Sequence, residues 1–173
     1  VPPRDAPSPQ FPPPPLPGLC LPYPLPSRHV GSDLLFPDAA AIFGNAPRGY
    51  SRVETICQWI RDNIAYSVGT SSPLTTARDV FHNRAGVCRD YAHLAVAFCR
   101  APNIPSRLVT GYARYSDPPP DFHHLAEAYP GEPLHLFDPT TIDPVARRIR
   151  IGPGPHPAHH TVPTSADHPH PAA

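Results

Sequence analysis

The chain has 173 residues, of which 30 are proline, and its 14 acidic residues balance its 14 basic residues, all of them arginine. Because a nucleic-acid-binding face needs clustered positive charge, the interspersed and neutral balance argues against nucleic acid as a partner. No apolar run reaches the roughly 18 residues of a membrane-spanning helix, and the amino end lacks the apolar core of a signal peptide, so we expect a cytoplasmic protein without membrane contact.

Prolines concentrate at the two ends of the chain. Proline fixes φ and removes a backbone donor, so neither end is expected to form a helix or a central strand. We therefore predict a disordered proline-rich arm over 1–26, one folded domain over 27–152, and a low-complexity tail rich in proline and histidine over 153–173. The arm contains PxxP spacings of the kind that SH3 domains bind, but a flexible arm is the favoured interpretation.

Four helices are predicted in the first part of the folded domain. Residues 50–64 carry apolar side chains at spacings of three and four, with Ser51 as the N-cap and Glu54 in the capping-box position. The other three are predicted over 38–43, 76–81 and 88–101. Cys57 and Cys99 fall in apolar helical surroundings and are predicted to be core residues rather than disulfide partners, which favours a reducing compartment.

The apolar period changes from helical to two after residue 105. Strands are predicted over 106–113, 124–129 and 134–137, and the turn of Pro130–Pro133 joins the last two strands in a hairpin. Helices followed by consecutive strands predict an α+β domain in which the helices pack on an antiparallel sheet.

Cys88 is predicted in the first turn of the fourth helix, directly after a glycine-containing turn. A helix amino terminus offers unpaired N–H groups and a partial positive charge, and both favour the thiolate, which is the nucleophilic form of cysteine. The same N–H groups can hold the oxyanion that forms when an acyl carbonyl is attacked. By itself a cysteine is more often an inert core residue, so this position needs partners before it indicates a nucleophile.

A nucleophilic cysteine needs a base, and the base needs a group that orients it. His123 lies at the head of the second predicted strand and Asp138 follows the third, so the hairpin register permits a hydrogen bond between them. His124 competes for the role of base, but neighbouring strand residues face opposite sides, so only one of the two histidines is expected to reach Cys88. Glu127 shares the face of His123 and is expected to brace the strand.

Three blocks of the sequence contain these candidate residues. The first block is Gly-Val-Cys-Arg-Asp-Tyr-Ala-His-Leu at 86–94, with its continuation to residue 112. The second is Asp-Phe-His-His-Leu-Ala-Glu-Ala-Tyr at 121–129, and the third is Phe-Asp-Pro-Thr at 137–140. These three blocks, in this order, resemble the core of bacterial transglutaminase-like proteins. The resemblance covers about residues 53 to 152, and Leu125 departs from it because the family usually has an aromatic residue at that position.

The resemblance implies a papain-like, transglutaminase-type α+β core. In that core Cys88 is the nucleophile, His123 is the general base and acid, and Asp138 orients the histidine. The family pattern places its histidine at 123 rather than at 124.

The reaction that this resemblance implies is acyl transfer on amide or peptide bonds of a protein or peptide through a thioacyl intermediate. Hydrolysis is preferred over transfer to an amine, because the sequence shows no evident amine-acceptor site. No cofactor is expected and no metal, since His123, His124 and Glu127 do not have the helical HExxH spacing of zinc enzymes. The unusual ends leave a catalytically inactive or truncated domain, acting as a binding or scaffold module, as the alternative.

Overall fold

The computed structural model describes residues 22–113, 121–131, 134–141 and 148–154. Within these ranges, helices come mainly first and strands afterwards, as the α+β prediction requires. The helices are α1 (Phe36–Phe43), α2 (Tyr50–Asn63), α3 (Ala77–Asn83) and α4 (Cys88–Arg100). The strands are β1 (Ala65–Tyr66), β2 (Ala85–Gly86), β3 (Ser106–Ala113), β4 (Asp121–Ala128), β5 (His135–Phe137) and β6 (Arg148–Gly154). The predicted fold class is confirmed.

The main sheet has four antiparallel strands in the order β5-β4-β3-β6. β3 and β4 pair along their full length, from Ser106 opposite Ala128 to Ala113 opposite Asp121. β4 and β5 form the predicted hairpin, in which Ala126 lies opposite Phe137. The edge strand β6 is missing from the sequence-based prediction, because its proline and glycine residues weaken the local strand signal. β1 and β2 form a separate parallel pair, and β2 leads directly into α4.

Helix α4 is the centre of the domain, and nearly every one of its residues is buried. It contacts α2 and α3 in the helical layer, and β3 and β4 in the sheet. The core around it includes Ile56 and Ile60 of α2, Leu94 and Phe98 of α4, and Leu108 of β3, all at most 2% exposed. Burying each side chain of this size contributes about 1.5–3 kcal/mol, so the position of α4 against the sheet is well determined.

The start of α2 differs from the prediction. Gly49 is the N-cap and no side chain caps the helix, so the capping box predicted from Ser51 and Glu54 is wrong. Gly49 has a φ of 86°, which a glycine adopts without steric cost, and this lets the chain enter the helix before Ser51. The helix α3, by contrast, does begin with a capping box, formed by Thr76 and Asp79.

The start of α4 is held by Asp90, the third residue of the helix. Its buried carboxylate accepts the Val87 N–H at 2.9 Å and pairs with Arg89 at 3.1 Å. Gly86 is required here, because a Cβ at this position would lie 2.7 Å from the Cβ of Asp90. These contacts make Cys88 the first residue of α4, as predicted.

The two chain ends are described only in small part, and the division into arm, domain and tail stays a prediction. Of the arm, residues 22–26 are described: Tyr23 O accepts the Ser106 N–H at 3.2 Å, and Leu25 O accepts from Arg100 at 2.6 Å. No helix among the described residues combines the length and apolarity that crossing a membrane would require.

We predict that Asp90→Ala lowers the free energy of unfolding by about 1–3 kcal/mol, because it leaves the buried Val87 N–H without its acceptor. The matched control is Asp79→Ala, which removes the same helix position from the exposed capping box of α3 and is expected to cost at most about 1 kcal/mol. Urea denaturation of the two variants measures the difference. Equal losses would show that burial of the Asp90 contact does not matter.

Candidate active site

Cys88 lies at the amino terminus of α4 and is only 4% exposed. The short β2 strand leads directly into it, and β4 packs against the same helix. The helix dipole places a partial positive charge at this end, which stabilises a thiolate. The thiol therefore sits where helix and sheet meet, in contact with side chains of β4.

His123 of β4 and Asp138, which directly follows β5, are both buried and bonded to each other. Nε2 of His123 lies 3.3 Å from each carboxylate oxygen of Asp138. Because Nε2 faces the carboxylate, Nδ1 is the ring nitrogen left for the thiol. The structure thus brings together the three residues that the sequence selected, and their catalytic roles stay a prediction.

Thr140 joins the hydrogen-bonded group of Cys88, His123 and Asp138, which we call the polar chain of the site. The sequence did not predict this residue. Its backbone N–H and its hydroxyl donate to Asp138 Oδ1 at 2.8 and 2.7 Å, and the hydroxyl also lies 3.3 Å from His123 Nε2. A threonine two residues after an aspartate is a local signal for such a turn, because the carboxylate can accept the backbone N–H two positions on. The carboxylate is consequently held from two sides.

The electrostatics of the site favour a thiolate–imidazolium pair. Burial alone would raise the pKa of the Cys88 thiol, but hydrogen bonding to His123 and His124 and their charge outweigh it and lower the pKa from 9.0 to about 6. Burial would lower the pKa of His123, but Asp138 and Cys88 outweigh it and raise the pKa from 6.5 to about 9. The two groups titrate as a pair, and between these values the thiolate and the imidazolium coexist.

The expectation that only one of the two histidines reaches Cys88 is wrong. Both His123 and His124 interact with the thiol and lower its pKa. Strand alternation separates the Cα–Cβ directions of neighbours, but an imidazole ring extends well beyond its Cβ, and Cys88 approaches the head of β4 from a helix end. Asp138 is bonded to His123, which distinguishes that ring as the candidate base.

Two other buried polar residues, Glu127 of β4 and His93 of α4, have structural contacts. Glu127 forms an ion pair of 2.6 Å with Arg107, which lies directly opposite it on β3, in agreement with its predicted bracing role. The His93 ring stacks on His29 with 5.7 Å between the ring centroids. Within the described ranges, no three His, Cys, Asp or Glu side chains form a group that could hold a metal ion.

A groove of about 930 Å³ runs between α2 and β5 and ends beside the site. Its walls include Tyr50, Glu54 and Gln58 of α2 and Leu136 of β5, and Asp138 borders it. Cys88 and His123 are not among its lining residues. The groove therefore adjoins Asp138 rather than the thiol of Cys88.

Cys57 and Cys99 are free and buried in the core cluster, as predicted. Burial raises the pKa of Cys57 to about 12 and raises that of Cys99 well above its ordinary value. Both thiols are therefore protonated at neutral pH, in contrast to Cys88.

Comparison with known proteins identifies relatives of the chain. The family model described as the transglutaminase-like superfamily matches residues 39–135, a range that includes Cys88 and His123 and ends before Asp138. A crystal structure from Cytophaga hutchinsonii, of a protein provisionally assigned as a cysteine protease, is 42% identical with a TM-score of 0.82, covering 85% of this chain and 50% of that one.

Two further matches are lower in identity or shorter in extent. The periplasmic domain of TgpA from Pseudomonas aeruginosa, bound to ethylmercury, is 21% identical and has a TM-score of 0.55 over 68% of this chain and 47% of that one, which shows a shared fold. An uncharacterised protein of Mycobacterium leprae is 37% identical over 60 residues, which are 35% of this chain and 22% of that protein. The chain spans about half the length of the two solved structures.

We predict that Cys88 alone among the three described cysteines is alkylated by iodoacetamide at neutral pH, because only its pKa lies near 6. The experiment uses a Cys20→Ser background and peptide mass mapping of the folded chain. Cys88→Ser is the matched control and is expected to remain unlabelled. Labelling of Cys57 or Cys99 at a comparable rate would contradict the assignment.

Proposed function

The chain belongs to the transglutaminase-like superfamily, and we propose that this domain is a cysteine-dependent hydrolase that cleaves amide or peptide bonds of proteins or peptides. The observation that carries the proposal is the buried polar chain of Cys88, His123 and Asp138, in which a thiolate meets an imidazole that is bonded to a carboxylate. An unbroken chain of this kind favours an enzyme over an inactive scaffold, because a binding module has no use for an activated thiolate.

In the proposed acylation step, the thiolate of Cys88 attacks the carbonyl carbon of the substrate. The N–H groups at the amino end of α4 are placed to stabilise the oxyanion that develops. His123 then gives its Nδ1 proton to the leaving amine as the C–N bond breaks, which leaves a thioester on Cys88 and a neutral imidazole. Asp138 keeps the ring oriented through Nε2 and stabilises its protonated form.

In the proposed deacylation step, neutral His123 takes a proton from water as the water oxygen attacks the thioester carbonyl. The C–S bond breaks, the carboxylic acid product leaves, and the thiolate–imidazolium pair is restored. Water as acceptor, rather than an amine, is supported by the similarity to the Cytophaga hutchinsonii protein provisionally assigned as a cysteine protease, at 42% identity.

We predict that Cys88→Ala abolishes turnover and that His123→Ala lowers it by roughly 10²–10⁴-fold, the usual contribution of a general acid–base group. The full chain is incubated with a peptide mixture and a fluorescent primary amine, and products are identified by mass spectrometry. New peptide termini or deamidated side chains, without incorporated amine, are the expected result.

Two outcomes would overturn this proposal. Amine incorporation that exceeds hydrolysis would identify the domain as an acyltransferase. Absence of any product while Cys88 is still alkylated at neutral pH would favour the scaffold alternative.

We predict a bell-shaped pH dependence of turnover with limbs near the pKa values of the pair, about 6 for Cys88 and about 9 for His123. Below the lower limb the thiolate is protonated, and above the upper limb the imidazolium loses the proton that it must donate. Asp138→Asn should move the upper limb to lower pH, because the carboxylate is the first of the two groups, Asp138 and Cys88, that raise the pKa of His123. An upper limb that stays in place would contradict the role of Asp138.

A further inference from the structure

Two polar residues lie side by side on the helix-facing side of the sheet, next to the site. Thr110 of β3 and His124 of β4 are direct partners in the antiparallel ladder, so their side chains project from the same face. By the period of two, that face is the one that carries Leu108 and Ala126 into the core around α4. His123 belongs to the opposite row, with Leu125 and Glu127.

Both partners carry a polar atom that is buried and has no hydrogen bond. Thr110 is fully buried and His124 is 7% exposed. Among the described residues, neither Thr110 Oγ1 nor His124 Nδ1 has a partner. Buried polar groups are nearly always satisfied, and ordered water satisfies many of those that have no protein partner.

His124 is hydrogen-bonded to Cys88. Because its Nδ1 is buried and has no hydrogen-bond partner, we assign that bond to the other ring nitrogen, Nε2. When an imidazole is neutral, only the tautomer with its proton on Nε2 donates to a sulfur at Nε2, and Nδ1 is then an acceptor. The Thr110 hydroxyl belongs to the residue directly opposite His124 on β3, and it can supply a donor to Nδ1 through a bridging water. Such an arrangement selects the tautomer that can donate to a thiolate.

We propose that His124 is a second thiolate-binding imidazole of the site and that Thr110, through a bridging water, is the positioning residue that holds its tautomer. The two histidines then have different roles. His123, which is bonded to Asp138, transfers the proton to and from the reacting groups. His124 keeps its proton and donates a hydrogen bond to the sulfur throughout. The inference rests on the proposed function only in taking Cys88 as the nucleophile.

The other titratable groups around the amino end of α4 already have contacts of their own. Arg89 and Asp90, on the same helix as Cys88, pair with each other. Tyr91 donates its hydroxyl to the carbonyl of Ile64. Arg61 of α2 donates to the Asp138 carbonyl, and the Asp138 carboxylate is bonded to His123. The titratable groups of α3 and β1 are exposed to solvent: Arg78, Asp79, His82 and Tyr66.

The test is the pH dependence of Cys88 alkylation by iodoacetamide, in the full chain with Cys20→Ser. His124→Ala is expected to move the acid limb up by about one pH unit, which slows alkylation below that limb about tenfold, with the alkaline plateau unchanged within about twofold. Thr110→Val should give a smaller shift in the same direction, whereas Thr110→Ser, which keeps the hydroxyl, should give none. His82→Ala removes an exposed imidazole of α3 and serves as the matched control.

The proposal would be overturned if the acid limb of His124→Ala stayed at the pH of the wild-type limb. It would also be overturned if His124→Ala lowered the alkylation rate equally at every pH, because a merely structural role has that effect. If His124→Ala fails to fold by circular dichroism, His124→Gln and Thr110→Val decide, and unshifted limbs in both overturn the proposal. Alkylation requires no substrate, so its outcome is independent of turnover. A shifted limb in a chain that processes no peptide would contradict the proposed hydrolase and leave this inference standing.

Discussion

The site depends on the docking of the amino end of α4 against the head of β4, which buries the Cys88 thiol. Burial alone would raise the pKa of a thiol and make it inert, as it does for Cys57. At Cys88 two imidazoles reverse the effect, and the pKa falls to about 6. Since nearly every residue of α4 is buried, the helix cannot move away from the sheet without loss of the core, so these groups are held in place.

Hydrogen bonds between carboxylate side chains and backbone N–H groups fix both sides of this contact. On the helix side, Asp90 accepts the Val87 N–H and packs against Gly86 at a distance that excludes a larger residue. On the sheet side, the β4–β5 ladder and the hydrogen bonds of Thr140 set the position of Asp138. Support of this kind is what holds reacting groups in a productive geometry.

The family relationship and the geometry support different residues of the site. The superfamily match covers residues 39–135 and therefore includes Cys88 and His123 but not Asp138, whose role rests on its hydrogen bonds to His123 and Thr140. His124 is likewise assigned from its burial, its ladder partner and its neighbourhood to the thiol. The substrate class and the acceptor are proposals for a chain that spans about half the length of the two similar solved structures.

The sequence by itself determined the elements whose apolar period is strong: α4 with Cys88 at its first residue, the β4–β5 hairpin that carries His123 and Asp138, and the burial of Cys57 and Cys99. Tertiary structure decided what local patterns do not encode. The ladder pairs Ala126 with Phe137, so Asp138 reaches His123 from a diagonal position and Thr140 joins them. The tertiary structure also brings both histidines to one thiol. Strand alternation predicts only the direction in which each side chain leaves the backbone, whereas the approach of a helix end to a strand depends on packing between distant segments.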